Sequence, residues 1–305
     1  MIDILTNILV DPSDKGNLLW DEAQGLAYNP RLRLRYPFRN GFPRLHKNEA
    51  SPAKNEEEHL GFLYGTVPLQ EGDPTKTSHE DPETRIARYE GFAEYYDTIM
   101  QDDSNRGELA RSAYELLSSL AGKGEGIALD IGCGTGLSAR FAKDLGYDPI
   151  GVDLSADQLR VASARLPVVL GDSAELPIAS DSVKLAYSTF TTTDWDDLAR
   201  SAREIYRVLS SGGRYIDVGV HPCFYGGFSE ALPEGGILQK VGYNGTQYLE
   251  PETLKGSVRS KVGAWHRPLA EVLNLFLEAG FRLVRISEGG PEKLPSLLAL
   301  SFIKD

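Results

Sequence analysis

Two patterns of apolar and polar positions divide the chain. Over residues 1–50, short apolar runs are separated by turn signals at Asp11-Pro12, Lys15-Gly16 and Asn40-Gly41, as hairpins require. This predicts a small β-rich module. Residues 51–84 are polar, with Pro, Gly and the run Glu56-Glu57-Glu58, and only 60–67 form an apolar island. So little apolar surface predicts a linker, or else a lid drawn across a neighbouring pocket. From Asp81-Pro82 a helical period begins, with Ile86, Tyr89, Phe92, Ala93 and Tyr96 at spacings of three and four. A second helix is expected over about 106–120.

Strands and helices then alternate. Strands are expected at 127–131, 149–153, 167–170, 183–188 and 213–220, with helices at 137–145, 156–165 and 196–208 between them. Ser155 is a suitable N-cap for the helix at 156, with Gln158 three residues on as its capping-box partner. A helix at 269–279 precedes strands at 281–286 and 297–303. The alternation predicts an α/β fold with a doubly wound parallel sheet. The last two strands are joined by a turn-rich loop too short for a crossover helix, so they should pair antiparallel.

Composition narrows the partners. The 305 residues carry a formal charge of −12, concentrated in 51–103. No long basic stripe follows a phosphate backbone, which argues against nucleic acid. Arg31, Arg33, Arg35, Arg39 and Arg44 alternate with apolar residues and read as the charged face of a strand pair. Cys133 and Cys223 form no paired framework, which fits a reducing cytoplasm. Neither a signal peptide nor a membrane-length apolar run is visible. Homo-oligomerisation stays open.

The chemistry concentrates in ALDIGCGTGLSARFAKDLGYDPIGVD. An apolar strand ends in Asp130, the chain turns through Gly132, Cys133, Gly134 and Gly136, and a helix and second strand lead to Asp153. This order is that of a nucleotide-binding βαβ unit, in which glycines admit a ligand to the backbone and the distal acid accepts ribose hydroxyls. A pyrophosphate calls for a differently spaced third glycine and free N–H groups. An acid ahead of the loop suits a ligand with an amino group and a positive sulfur. Asp172, past the third strand, can accept from an adenine amino group, with Ser173 or Ala174 offering a backbone N–H. Tyr89, Tyr95 and Tyr96 are residues of a helix core or a wall for a cation.

From these motifs, residues 85–305 are similar to class I S-adenosylmethionine-dependent methyltransferases of the small-molecule type. The resemblance implies a seven-stranded Rossmann-like sheet with an antiparallel last strand. It makes LDIGCGTG the methionine-binding loop, places Asp153 and Leu154 of GVDLS at the ribose, and puts Asp172 and Ser173 of GDSAELP at the adenine. Ser188 and Thr189, ending strand four, complete the cofactor set. A bacterial subgroup carries T-H-T-D after strand four and G-x-H-P-C-F after strand five; here Thr192 stands where that histidine is expected. His221, His266, Thr193 and Asp194 are left as catalytic candidates. Residues 221–265, rich in aromatics and glycine, are expected to form a substrate cap.

The first fifty residues resemble the small zinc-ribbon partner proteins of methyltransferases, through the closing motif Tyr36-Pro37-Phe38-Arg39-Asn40-Gly41-Phe42-Pro43. Asp11 and Asp14 occupy the positions of the opening cysteines and no second pair follows, so no metal is expected. The module must then be held by Leu18, Trp20, Tyr36 and Phe42, or by docking on its neighbour. The expected activity is methyl transfer from S-adenosylmethionine to a small-molecule acceptor. Cleavage of the cofactor by a cyclase or alkyl transferase, releasing methylthioadenosine, and a non-catalytic binding module are the alternatives.

Overall fold

The computed structural model describes residues 2–21, 25–64, 88–102, 105–232, 236–254, 258–291 and 294–305. Residues 65–84 of the expected linker, and the helix start expected at Asp81, lie outside them.

A seven-stranded sheet forms the centre. Its strands, numbered in chain order within this sheet, are β1 (Ile127–Ile131), β2 (Asp148–Asp153), β3 (Val168–Leu170), β4 (Val183–Thr189), β5 (Leu209–Val220), β6 (Arg282–Gly289) and β7 (Leu297–Ile303). Their spatial order is β6-β7-β5-β4-β1-β2-β3. β1 to β5 run parallel, while β7 is antiparallel to both β5 and β6. Strands buried on both faces read as near-continuous apolar runs, as in Ile127–Ile131, broken only by Asp130, and Leu297–Ile303, broken only by Ser301. The strand order reverses between β1 and β4, which opens a crevice at their carboxyl ends.

Helices cover the sheet. Leu198–Val208 starts on Asp197, whose carboxylate accepts the Arg200 N–H at 2.8 Å, and it buries Leu198, Ala202, Ile205 and Val208 at helical spacing. The tyrosine-rich helix differs from expectation. It begins only at Ala93, because Gly91 takes a positive φ of 72° and the Asp157 carboxylate accepts the N–H groups of Phe92 (2.9 Å) and Ala93 (3.0 Å). Tyr89 therefore sits in a turn ahead of the helix. Among the described residues, no helix is long and apolar enough to cross a membrane.

The first module comprises helix Ile2–Thr6 and five short strands between Leu19 and Pro52. Docking, more than internal packing, holds it. Leu5, Ile8, Leu9, Leu18, Tyr36 and Leu45 share one hydrophobic core with Val152, Val169 and Ile178 of the central domain. Phe42, at the tip of the closing motif, packs among Leu159, Leu166, Val168 and Leu170. A bridge from Arg44 to Leu170 covers part of the β3 edge, which would otherwise expose unpaired backbone groups, and one from Leu9 to Ile178 ties the module to the segment after β3. Trp20 is only partly buried, edge-on to Phe38 at 5.9 Å.

Residues 51–64, expected as linker, instead extend this module. Strand Ser51–Pro52 pairs with Leu34–Arg39, and helix Glu56–Tyr64 packs Phe62 on Tyr28 with ring centroids 4.3 Å apart. His59 Nδ1 lies 2.6 Å from the Tyr28 hydroxyl, and Arg35 pairs with Glu58 at 3.0 Å. One aromatic and two polar partners hold a segment whose own apolar content is low.

The segment after β5 forms two small antiparallel strand pairs, Ser229–Ala231 with Ile237–Gln239 and Gln247–Leu249 with Ala264–His266, and a turn of helix at Arg259–Val262.

Candidate active site

The crevice at the switch point holds about 1080 Å³ of empty space, including its mouth. Its floor is the loop after β1. Gly132, Gly134 and Gly136 all have positive φ (71°, 52° and 77°), and a Cβ at Gly132 would meet Thr191 Cγ2 at 2.7 Å. Only glycine fits there. The N–H groups of Gly132 and Cys133 both reach the Val152 carbonyl, at 2.8 and 3.1 Å, and pin the loop to β2. Arg165 secures its far side by donating to the Thr135 carbonyl and to Asp97, each at 2.6 Å.

Three acids stand at three successive strand ends; Asp153 and Asp172 line the crevice, and Asp130 lies behind Ser138 of its lining. Asp130 is fully buried. Its Oδ2 accepts from the Ser138 hydroxyl, and among the described residues Oδ1 has no hydrogen-bond partner. Burial pushes its carboxyl up to about 7, against the pull of Ser138 and Tyr187. Asp153 accepts the Gly134 N–H on one oxygen and the Ser155 N–H on the other, each at 2.8 Å. Burial raises it to about 6, with those two N–H groups opposing. Asp172 Oδ1 accepts the Ala174 N–H at 2.9 Å. That bond takes the Ala174 donor that was expected to face an adenine ring, and leaves Ser173, also at the crevice, in that role.

Such a site fits an adenosylmethionine molecule. A partnerless buried carboxylate oxygen matches an amino cation, a two-point carboxylate beside a glycine matches a ribose, and Leu154 with Asp172 matches an adenine. Tyr89 and Tyr96 cross edge-to-face at 5.7 Å as an aromatic wall, and burial pushes the Tyr96 hydroxyl up to about 12. A neutral ring face there suits a sulfonium.

The rim is made by the loop after β4 and by the cap. Asp194 faces the crevice, and burial raises its carboxyl against the pull of Arg259. Arg259 reaches in from the cap, pairs with Asp194, and donates to the Phe190 carbonyl and the Thr193 hydroxyl at 2.8 Å each. Arg88 donates to the Asp194 carbonyl at 2.9 Å and to Asp196 at 2.6 Å, while its guanidinium lies 4.8 Å from the Tyr248 ring centroid. The Trp265 indole N–H also reaches Asp196, at 2.8 Å.

Not every expected residue meets the crevice. Tyr89, Tyr96, Gly132, Cys133, Gly134, Asp153, Leu154, Asp172, Ser173, Thr189 and Asp194 line it. Asp130 stands directly behind Ser138 of that lining, and Gly136 lies at the base of the loop. Tyr95 is exposed on the outer face of its helix, under the Lys261 ammonium at 4.7 Å. Ser188 points into the core, where its hydroxyl donates to Asp217 at 2.7 Å. Thr193 is occupied by Arg259. Neither histidine reaches the site. His221 Nδ1 accepts the Cys223 N–H at 3.1 Å, so its ring proton sits on Nε2, which donates to Glu288 at 2.8 Å. His266 Nε2 donates to the Tyr243 carbonyl at 2.8 Å. Both are structural struts of the cap.

Arg88, Met100, Tyr114, Gln158, Phe190 and Trp195 also line the crevice and are not expected there from the sequence. The adjacency of Phe190 and Trp195 to Asp194 in the motif is a usable signal. Arg88, Met100 and Tyr114 arrive from helices and turns whose docking no local pattern encodes.

Comparison with known proteins agrees with this geometry. Residues 129–217 match the model of a methyltransferase domain family. The chain is 30% identical over 169 residues to a malonyl-[acyl-carrier protein] O-methyltransferase of Pseudescherichia vulneris, covering 53% of this chain and 64% of that protein. It is 26% identical over 147 residues to a demethylmenaquinone methyltransferase of Renibacterium salmoninarum, covering 47% and 62%. The chain thus spans less than two thirds of the length of these curated relatives. An S-adenosylmethionine-dependent methyltransferase structure from Mesorhizobium loti shares the fold, with a TM-score of 0.54 at 24% identity, covering 62% of this chain and 96% of that one. Residues 129–217 thus match a methyltransferase domain, set in a fold that the chain shares with an S-adenosylmethionine-dependent methyltransferase.

Proposed function

We propose that the protein transfers the methyl group of S-adenosylmethionine to a small-molecule acceptor. The observation that carries this is the meeting of Asp130, Asp153 and Asp172 around one glycine loop, with Tyr89, Tyr96 and Asp194 closing the same crevice. The cofactor supplies an already activated methyl group. The chain's own residues then have to hold the acceptor in line and receive its proton. Asp194 is the group on the crevice wall placed to receive that proton, since burial raises its carboxyl and Arg259 fixes its orientation. The relatives named for malonyl-acyl carrier protein and demethylmenaquinone support a small carboxylate or ring acceptor rather than a nucleic acid.

Incubation with S-adenosylmethionine, with and without an extract of small metabolites, tests the reading by mass spectrometry. Adenosylhomocysteine formed only with the extract supports methyl transfer. Methylthioadenosine formed without it supports cofactor cleavage instead, and tight binding without turnover supports a binding module.

A further inference from the structure

The seam between the first module and the central domain holds a second cavity, with about 550 Å³ of empty space including its mouth. One wall is the turn that carries Pro12, Ser13 and Lys15. The other is Ala174 and Glu175, just past Asp172, together with Arg200, Arg203 and Glu204 of helix Leu198–Val208.

The charges at this seam do not balance. Arg207 holds both oxygens of Glu204, at 2.8 and 2.9 Å, and its other N–H groups reach the Leu176 and Ile178 carbonyls and the Ser180 hydroxyl. Lys15 must share Glu204 Oε2 with it, at 2.9 Å, and makes one further bond, to the Leu176 carbonyl at 3.3 Å. An ammonium has three protons to donate, so one is left without an acceptor among the described residues. Arg200 pairs with a single oxygen of Glu175, and the Arg203 side chain makes no ion pair or hydrogen bond among the described residues. Four cations thus meet two carboxylates, an excess of two positive charges in a chain whose formal charge is −12. Asp11 and Asp14 of the same turn do not redress it, because Tyr36 and Arg31 engage them. Burial lowers the Lys15 ammonium against the pull of Glu204, so part of the excess is held where water screens it poorly.

Cations short of partners at a cavity wall are stabilised by an anion. The donors here converge from two sides: an ammonium from the turn, and two guanidiniums three residues apart on one helix face. Guanidiniums match the paired oxygens of a phosphate, and an excess of two charges matches its dianion. We propose that this cavity binds a phosphate group between Lys15, Arg200 and Arg203, and that the bound phosphate fastens the first module to the central domain. The site is separate from the crevice and stands whatever the crevice binds.

Titration with sodium phosphate at constant ionic strength, with chloride as the compensating anion, tests this through the phosphorus NMR line width and the melting temperature. Phosphate should broaden its own signal saturably and raise the melting temperature of the wild-type protein, since it binds the folded state. Arg203→Gln removes a side chain without partners in the fold. It should melt as the wild type does in phosphate-free buffer and bind phosphate about tenfold more weakly, the size of one charge-assisted bond. Lys15→Gln, on the opposite wall, should weaken phosphate by a similar factor, which a site confined to the helix would not show. Glycerol 3-phosphate separates the two sources of the group: affinity equal to that of inorganic phosphate supports a free ion, and tighter binding supports a phosphate carried on an organic molecule. No saturation by either ligand into the tens of millimolar, or wild-type affinity in either variant, would overturn the proposal.

Discussion

Arg259 and Asp194 couple the cap to the loop after β4 through an ion pair at the crevice wall, and the same guanidinium also holds the Phe190 carbonyl and the Thr193 hydroxyl. One side chain thus fixes three points of the loop that shapes the acceptor side. Arg259→Met removes all three bonds and leaves a largely buried carboxylate without its paired cation. Stability to urea should fall by about 1–3 kcal/mol, and affinity for S-adenosylhomocysteine by about tenfold. Arg259→Lys keeps the charge but not the fork, and should recover only part of either loss. Unchanged binding in Arg259→Met would mean that the loop holds its shape without the cap.

Cofactor affinity should depend on pH through two raised carboxyls, Asp153 lining the crevice and Asp130 behind its Ser138 wall. The free protein holds Asp130 near 7 and Asp153 near 6, while an amino cation and a ribose both favour the ionised forms. Binding therefore strengthens as pH rises through 6 to 7 and weakens below it. Between pH 8 and pH 5.5 the dissociation constant for S-adenosylhomocysteine should rise by about tenfold or more. Asp130→Asn should bind more weakly at pH 8 and show a shallower profile; a wild-type profile flat across this range would contradict the assignment.

The sheet, its antiparallel last strand and the three acids are legible in the sequence because each rests on local signals: apolar runs, turn glycines and a short final connection. Asp130, Asp153 and Asp172 all follow from being the polar residue at or just past the end of an apolar strand. Ser188 misleads for the opposite reason. Strand periodicity puts it on one face and Thr189 on the other, and only the structure shows that the face of Ser188 is the one carrying Asp217 and Tyr215. His221 and His266 have suitable chemistry, but a histidine's availability depends on what its two nitrogens touch, here Glu288, the Cys223 N–H and the Tyr243 carbonyl. Residues 51–64 read as linker because the groups that order their helix, Tyr28 and Arg35, lie more than twenty positions away.

In the first module a polar clasp occupies the turn where the resemblance places a metal knuckle. Asp11 is fully buried; one oxygen accepts the N–H groups of Ser13 (2.7 Å) and Asp14 (3.3 Å), and the other accepts the Tyr36 hydroxyl at 2.8 Å. Asp14 pairs with Arg31 at 2.8 Å, and this guanidinium beside it holds its carboxyl down to about 2. Tyr36 belongs to the core shared with the central domain, so the clasp joins the turn to that core. Asp11→Ala should lower stability by about 1–3 kcal/mol, and Tyr36→Phe by about 1 kcal/mol. Incubation with a strong chelator should leave the melting temperature of the wild-type protein unchanged. A chelator-induced drop would show that a metal, and not this clasp, holds the turn.

Asp217 offers a test of the core itself. It sits in β5, 5% exposed, accepting from the Ser188 hydroxyl at 2.7 Å and the Thr192 hydroxyl at 3.4 Å, with no cation among these partners. Burial raises its carboxyl to about 6, and the two hydroxyls offset this only in part. A folded-state value above the unfolded one means that the native state binds the extra proton. The stabilisation is complete below about pH 4 and is lost as pH rises through 6. Asp217→Asn keeps an acceptor for Ser188 and cannot ionise, so it should overtake the wild-type protein as pH increases. The difference in unfolding free energy between the two, read from urea melts at pH 4.5 and pH 8, should move in favour of the variant by up to about 3 kcal/mol. Asp130 and Asp153 titrate in both proteins and cancel from the comparison. Parallel stability curves would show that Asp217 is ionised in the native core at every pH, held by its hydroxyl donors alone.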